Sequence, residues 1–227
     1  MARTSKIART SVDQQIPRIM SEMQAAADRL REVGWGVSVF GSARVTPQSP
    51  YYALAQAVGA RLAKAGLTLI AGGGPGIMEA ANKGAYEAGG KSIGLNITLP
   101  HETTHNPYQT HSLYFDFFTS RKATFFMHSA AYIALPGGFG TLDEIFEIAT
   151  LVQTGKLPPA PIVLMGASFW SGLIEWINAQ QLSNKLIGPH DLELFTVSDD
   201  IDLVMDQIEA FCTNYAEHLE CAPAIPE

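Results

Sequence analysis

The chain has 227 residues, 47% hydrophobic and 16% charged, with a formal net charge of -7. That is enough chain to bury a substantial core in one α/β domain, and its acidic balance argues against a nucleic acid or an anionic membrane surface as partner. No run of about 18 apolar residues offers a membrane span, and two cysteines, Cys212 and Cys221, with neither CxxC nor metal spacing, point to a reduced, cytoplasmic protein.

Residues 1–15 read as a flexible tail, with Arg3, Lys6 and Arg9 among Ser and Thr. Residues 16–33 place Ile16, Ile19, Met20, Met23, Ala27 and Leu30 at helical spacing, which predicts an extra amphipathic helix ahead of the main fold. Residues 35–40 form the first core strand and run into Gly41-Ser42-Ala43-Arg44. In a doubly wound sheet that is a ligand turn, where Ser42 can donate to a phosphate. Residues 51–65 make the next helix, with Leu54, Val58 and Leu62 as its buried stripe and Gly66 as its stop.

The second strand, residues 67–71, enters Gly72-Gly73-Gly74-Pro75-Gly76-Ile77-Met78-Glu79, a glycine turn opening a helix. Such turns bind phosphate through free backbone N–H groups. This one is neither G-x-G-x-x-G nor a P-loop, which speaks against a dinucleotide or ATPase site. Glu79, one turn into the helix, is a candidate for sugar hydroxyls or a plain helix-dipole carboxylate. Residues 91–97 form the third strand. His101-Glu102-Thr103-Thr104-His105 then matches H-E-x-x-H, but Pro100 and Pro107 flank it and helical periodicity is missing on both sides, so it reads as a loop rather than a zinc site.

Residues 112–118 are aromatic and β-prone. Thr119 and Ser120 suggest the cap of a helix opened by Arg121 and Lys122, and two cations at that end oppose the helix dipole, as an anionic ligand would explain. Residues 130–135 are a buried strand running into Pro136-Gly137-Gly138-Phe139-Gly140-Thr141-Leu142-Asp143-Glu144, after which Ile145, Ile148, Ala149 and Val152 recur at helical spacing. Gly137, Gly138 and Gly140 are expected to take φ > 0 and let the backbone approach a ligand, with the helix N-terminus completing a phosphate cradle. The same letters spell a capping box, Thr141 as N-cap and Glu144 reaching back, so Glu144 has a structural reading beside its functional one.

Residues 161–165, 169–177, 194–197 and 201–211 continue as strand, helix, strand and helix, and residues 216–227 read as a loose tail. The alternation predicts an α/β fold: a three-layer, Rossmann-like, doubly wound parallel sheet in a single domain over residues 16–215. Both glycine turns fall on the C-terminal strand edge, where ligands bind.

Pro136 to Glu144 spells P-G-G-x-G-T-x-x-E, Gly72 to Met78 spells G-G-G-x-x-x-M, and Arg121-Lys122 supplies a basic R-K pair. On these motifs, across residues 36–208, the sequence resembles the LOG ("Lonely guy") family of cytokinin-activating nucleoside 5′-monophosphate phosphoribohydrolases, long labelled lysine decarboxylases, and within it the larger bacterial members. The resemblance implies hydrolysis of the N-glycosidic bond of AMP or an N6-modified AMP to free base and ribose 5-phosphate, with no cofactor and no metal. It makes Arg121 and Glu144 the catalytic pair. It gives the phosphate to Gly137, Gly138, Gly140 and Thr141, with Ser42 beside them, and places Glu79, Lys122, Gly74 and Met78 near sugar and base. It also implies a homo-oligomer, with a dimer as the unit and a hexamer in many larger members. The alternative is a non-catalytic nucleotide or molybdenum-cofactor carrier or sensor on the same fold, which has no need of the Arg121 and Glu144 pair.

Overall fold

Strands covered on both faces carry apolar runs instead of alternation, and this sheet follows that rule. A computed structural model describes residues 12–34, 36–98 and 105–220. Every residue of β1 (Gly36–Phe40) and β2 (Thr68–Ala71) is buried. Five further strands follow: β3 (Ser92–Ile97), β4 (His111–Phe115), β5 (Ser129–Ala134), β6 (Ile162–Leu164) and β7 (Phe195–Val197). The sheet order is β4-β3-β2-β1-β5-β6-β7, and every pairing is parallel. The chain winds outward from β1 to β4, then returns to the other side of β1 with β5. The switch point therefore lies between β1 and β5, in register from Val37↔Ala131 to Phe40↔Ala134.

The helices are α1 (Val12–Leu30), α2 (Pro50–Lys64), α3 (Ile77–Glu87), α4 (Phe118–Met127), α5 (Phe139–Gln153), α6 (Ala167–Trp176), α7 (Pro189–Leu192) and α8 (Ile201–Glu220), with a π-helical turn at Ile177–Leu182. One face of the sheet packs Val37, Val39 and Leu69 against Leu62 of α2, Ile77 of α3 and Ile208 of α8. The other packs Phe40, Ile93 and Tyr132 against Leu30 of α1, Phe125 of α4 and Ile148 of α5. The three-layer, doubly wound reading holds. A side chain at Gly59 would collide with the Ala81 carbonyl and one at Gly84 with the Gln56 carbonyl, so α2 and α3 meet backbone to backbone.

Local starts and stops differ from the sequence expectation. Thr119 and Ser120 do not cap α4: its N-cap is Phe117, which has no capping side chain. The carboxylate at that terminus comes from α1 instead. Glu22 accepts from the Asp116 N–H at 2.9 Å and from the Ser120 hydroxyl. Helix α8 continues to Glu220, past the expected boundary at 215. Helix α1 begins at Val12, so residues 12–15 of the expected tail at 1–15 are helical; its residues 1–11, the end of the chain from 221 and residues 101–104 of the H-E-x-x-H stretch lie outside the described residues. Among the described residues no helix is long and apolar enough to cross a membrane.

Candidate active site

The ends of β1 and β5 are sewn together just above the sheet: Leu135 N–H donates to the Phe40 carbonyl at 2.9 Å, and Ser42 N–H to the Pro136 carbonyl at 3.1 Å. Beyond this seam opens a cleft of about 870 Å³, a size suited to a small-molecule ligand. It sits at the topological switch point, where an open α/β sheet leaves a crevice. Ser42, Gly74, Met78, Arg121 and Glu144 line it together with the whole Gly137–Thr141 turn. Lys122 and Glu79 do not.

Helix α5 begins at this cleft without a cap. Its N-cap is Gly138, no side chain accepts from its first N–H groups, and no acid sits in its first turn. An uncapped terminus presents backbone donors and the positive end of the helix dipole to whatever fills the cleft. Contrary to the expectation, none of Gly137, Gly138 and Gly140 has positive φ. Their reasons differ. A side chain at Gly137 would collide with the Thr141 hydroxyl, while Gly138 and Gly140 have nothing within 4 Å of a would-be Cβ. Those two positions face open space, so their small size serves access to the cleft.

The capping box is absent as well. Because α5 starts at Phe139 with Gly138 as its N-cap, Thr141 and Glu144 lie inside the helix, and Glu144 does not complete a capping box. Glu144 is only 8% exposed, and its Oε2 is buried without a hydrogen-bond partner. Burial pushes its carboxyl up to about 7; Arg121 and Lys122 pull against that shift, and Asp143 and Glu147 add to it. A buried carboxyl left unpaired is expensive and marks a functional group when it faces a cleft.

Arg121 reaches the same cleft from α4. Its Nε donates to the Leu95 carbonyl at 2.7 Å and its Nη2 to the Gly72 carbonyl at 3.3 Å, while the guanidinium lies over the Phe125 ring. Burial lowers its pKa and the nearby Glu144 raises it; a guanidinium remains a cation throughout. Gly72 is small because a side chain there would strike Arg121 Nη2 and Met78 Sδ. Lys122 points elsewhere. Its Nζ bonds Asp143 at 2.9 Å and also Glu147, bracing α4 against the α5 turn that carries Glu144. Burial works to lower the Lys122 ammonium, but those two bonds outweigh it and the net direction is up.

A family profile described as "Possible lysine decarboxylase" matches residues 78–208. The cytokinin riboside 5′-monophosphate phosphoribohydrolase of Mycobacterium tuberculosis is 32% identical over 173 residues, covering 74% of this chain and 89% of that protein. The chain belongs to the LOG family. An Arabidopsis thaliana member is 29% identical over 149 residues, and this alignment spans 64% of each protein. Among solved structures, the molybdenum cofactor carrier protein of Chlamydomonas reinhardtii matches with a TM-score of 0.58 at 22% identity, covering 79% of this chain and 98% of that one. At that identity the likeness is one of fold.

The second motif of this LOG protein has a different job from the first. Gly76 takes φ of +71°, a side chain there would collide with the Ser42 carbonyl, and the Ile77 N–H donates to that carbonyl at 3.1 Å. The α3 terminus is thus partly closed by the chain's own β1 turn and acts as a joint. Ser42 Oγ accepts from the Arg44 N–H at 3.1 Å. Glu79 accepts from the buried Tyr52 hydroxyl at 2.9 Å, away from the cleft wall. Gly74 and Met78 do reach the cleft.

Two groups escaped the sequence reading. One is the aromatic rim of the cleft, Phe118, Phe169 and a 92% exposed Phe139. The other is a set of buried amides, Asn82, Asn96 and Asn106, behind the Gly72–Gly74 turn. Their signal was a polar residue on a buried face, Asn82 beside Ala81 and Ala85 in α3 and Asn96 between Leu95 and Ile97 in β3. Among the described residues no cluster of His, Cys, Asp or Glu is suited to a metal.

Proposed function

We propose that this LOG protein hydrolyses the N-glycosidic bond of AMP or an N6-modified AMP, giving the free base and ribose 5-phosphate. The observation that carries the reading is the buried, unpartnered Glu144 carboxyl in one cleft with the uncapped N-terminus of α5. The cytokinin phosphoribohydrolase names of its relatives support the same reaction.

In this reading the 5′-phosphate sits at the Gly138, Gly140 and Thr141 N–H groups, where backbone donors and the helix dipole suit an anion even on an acidic chain. Holding the phosphate orients the ribose, so that remote binding energy serves the reacting carbon. As the bond from C1′ to the base breaks, positive charge develops on the sugar, and the Glu144 carboxylate stabilises it. Water adds to C1′. Its proton passes to Glu144 and on to the departing base, which leaves neutral. A carboxyl poised near 7 suits both halves of that transfer. Arg121 cannot serve as a base; clamped to two strand ends, it positions the substrate and keeps Glu144 partly ionised.

The enzyme is taken to be cytoplasmic and to act as a homo-oligomer, which light scattering of the purified protein measures. The decisive test incubates the protein with AMP, N6-isopentenyl-AMP and the matching nucleosides and quantifies free base and ribose 5-phosphate. Base release from monophosphates, and its loss in Glu144→Gln, is the expected result. AMP binding with no base release would overturn the hydrolase and favour a carrier on this fold.

A further inference from the structure

The buried amides lie between the chemistry and the loop that follows β3, and no catalytic step uses them directly. Asn106 is 6% exposed, Asn96 1% and Asn82 fully buried. The Asn106 backbone N–H donates to the Gly73 carbonyl at 2.9 Å, and its Nδ2 donates to the Gly74 carbonyl and to Asn82 Oδ1, both at 3.0 Å. Gln109 Nε2 donates to the same Gly73 carbonyl at 3.1 Å, and its Oε1 accepts from Asn96 Nδ2 at 3.0 Å. Asn96 Nδ2 also reaches the Gly94 and Leu113 carbonyls, and Asn82 Nδ2 reaches Ser92 Oγ and the Ile93 carbonyl.

Glycine makes this packing possible. A side chain at Gly73 would collide with the Asn96 amide and one at Gly94 with the Gln109 amide. The cluster thereby grips the two carbonyls that follow Gly72, and the Gly72 carbonyl is one of the two acceptors that hold Arg121. A glycine turn with φ of +76° at Gly73 has no side chain of its own to fix it, so its shape is set from behind. Fully satisfied buried polar networks rigidify what they touch.

We infer that Asn106 and Gln109 are positioning residues for Arg121: they hold the Gly72–Gly74 turn so that the Gly72 carbonyl, with that of Leu95, fixes the guanidinium in the cleft that holds Glu144. The kinetic arm of the test rests on the hydrolase reading; the spectroscopic arm does not. The groups around Glu144 are Arg121 and Lys122 of α4 and Asp143 and Glu147 of α5, with Arg44 and His105 on the other cleft walls. Releasing Arg121 weakens the larger of the two cationic pulls that hold the Glu144 carboxyl down, so that carboxyl titrates at higher pH.

The experiment compares wild type with Asn106→Ala, the milder Gln109→Met, and Leu62→Ala, a variant in the remote α2 core that controls for general loosening. Exchange of the Arg121 Nε–H with water is followed by NMR, with the signal assigned through Arg121→Lys. A slowly exchanging signal in wild type and Leu62→Ala that exchanges at least about tenfold faster in Asn106→Ala or Gln109→Met is expected. Retention of slow exchange in both amide variants overturns the inference, as does equal acceleration in Leu62→Ala. If the protein hydrolyses AMP, kcat in the amide variants falls about tenfold, since displacement of a positioned group by about 1 Å can cost a hundredfold, and the acid limb of its pH profile moves up. An active wild type with unchanged amide variants refutes the inference alone; an inactive wild type refutes the hydrolase alone.

Discussion

Glu144→Gln should alter stability in a way that depends on pH, because the native fold disfavours the ionised carboxylate. In the unfolded chain this carboxyl titrates near its ordinary value of 4.5; in the folded protein it is pushed up to about 7. Between those values the native state holds a proton that the unfolded state has lost. Stability therefore falls as pH rises through this window, and below 4.5 nothing is lost, since both states are protonated. At roughly 1.36 kcal/mol per unit, the shift from 4.5 to about 7 amounts to about 3 kcal/mol of wild-type stability above the window. Glutamine has no such dependence. It has its own penalty, about 1–3 kcal/mol if its NH2 group stays unpaired, but that penalty is the same at every pH. The measured quantity is the difference in unfolding free energy between variant and wild type, from urea melts without ligand at pH 4.5, 6 and 8. Other titrating groups cancel in that difference. Expected is a swing of about 3 kcal/mol in favour of Glu144→Gln from the lowest to the highest pH, or about 6–12 °C in relative melting temperature for a chain of this size. Parallel curves at all three pH values would refute the account of Glu144 as a strained, buried acid. They would return it to the role of an ordinary helix carboxylate.

Three further results follow from the same geometry. Gly138→Ala and Gly140→Ala place a methyl group in open space, so urea melts should shift by no more than about 1 kcal/mol, whereas KM for AMP should rise at least about tenfold as the methyl enters the phosphate cradle. Lys122→Met removes a cation that pulls the Glu144 carboxyl down, so the acid limb of the kcat profile should move to higher pH, while the loss of the bonds from a mostly buried ammonium to the partly exposed Asp143 and Glu147 should lower stability by about 1–2 kcal/mol in urea melts. Gly137→Ala collides with Thr141; it should destabilise the fold by roughly 1–3 kcal/mol in thermal melts, in contrast to its two glycine neighbours.

The sheet was legible because its strands are buried on both faces: a run such as Ala130 to Leu135 has few alternatives. The short α7 and the π-helical turn were not, since four to six residues show no period. The cap of α4 was misread for another reason. Thr119 and Ser120 have the right letters, but the carboxylate that serves this terminus is Glu22, far back in the chain on α1, and no local pattern records it. The amide cluster behind Gly73 is likewise assembled from α3, β3 and the loop after it, so each member looks like an isolated polar residue until the fold closes. The glycines were found but not explained by sequence: identical letters serve a left-handed joint at Gly76, a tight contact at Gly137 and an open approach at Gly138.

The sharpest ambiguity, Glu144, turns on where α5 begins. A helix started by Thr141 would bury its first N–H groups in a capping box and place Glu144 where it completes the cap. Instead α5 starts at Phe139, with Gly138 as its N-cap. The earlier start has two local penalties: Phe139 stands 92% exposed, and the first N–H groups lose their side-chain acceptor. Neither penalty helps the fold, and both concern residues that line the same cleft. The early start also carries Glu144 a turn deeper, to a site where its carboxyl is buried without a partner for Oε2. A terminus left open, an apolar residue left exposed and a carboxyl left unpaired are three departures from local stability converging on one cavity. Such departures persist where a ligand restores what the fold omits: an anion for the N–H groups, an apolar surface for Phe139, and a developing positive charge for Glu144.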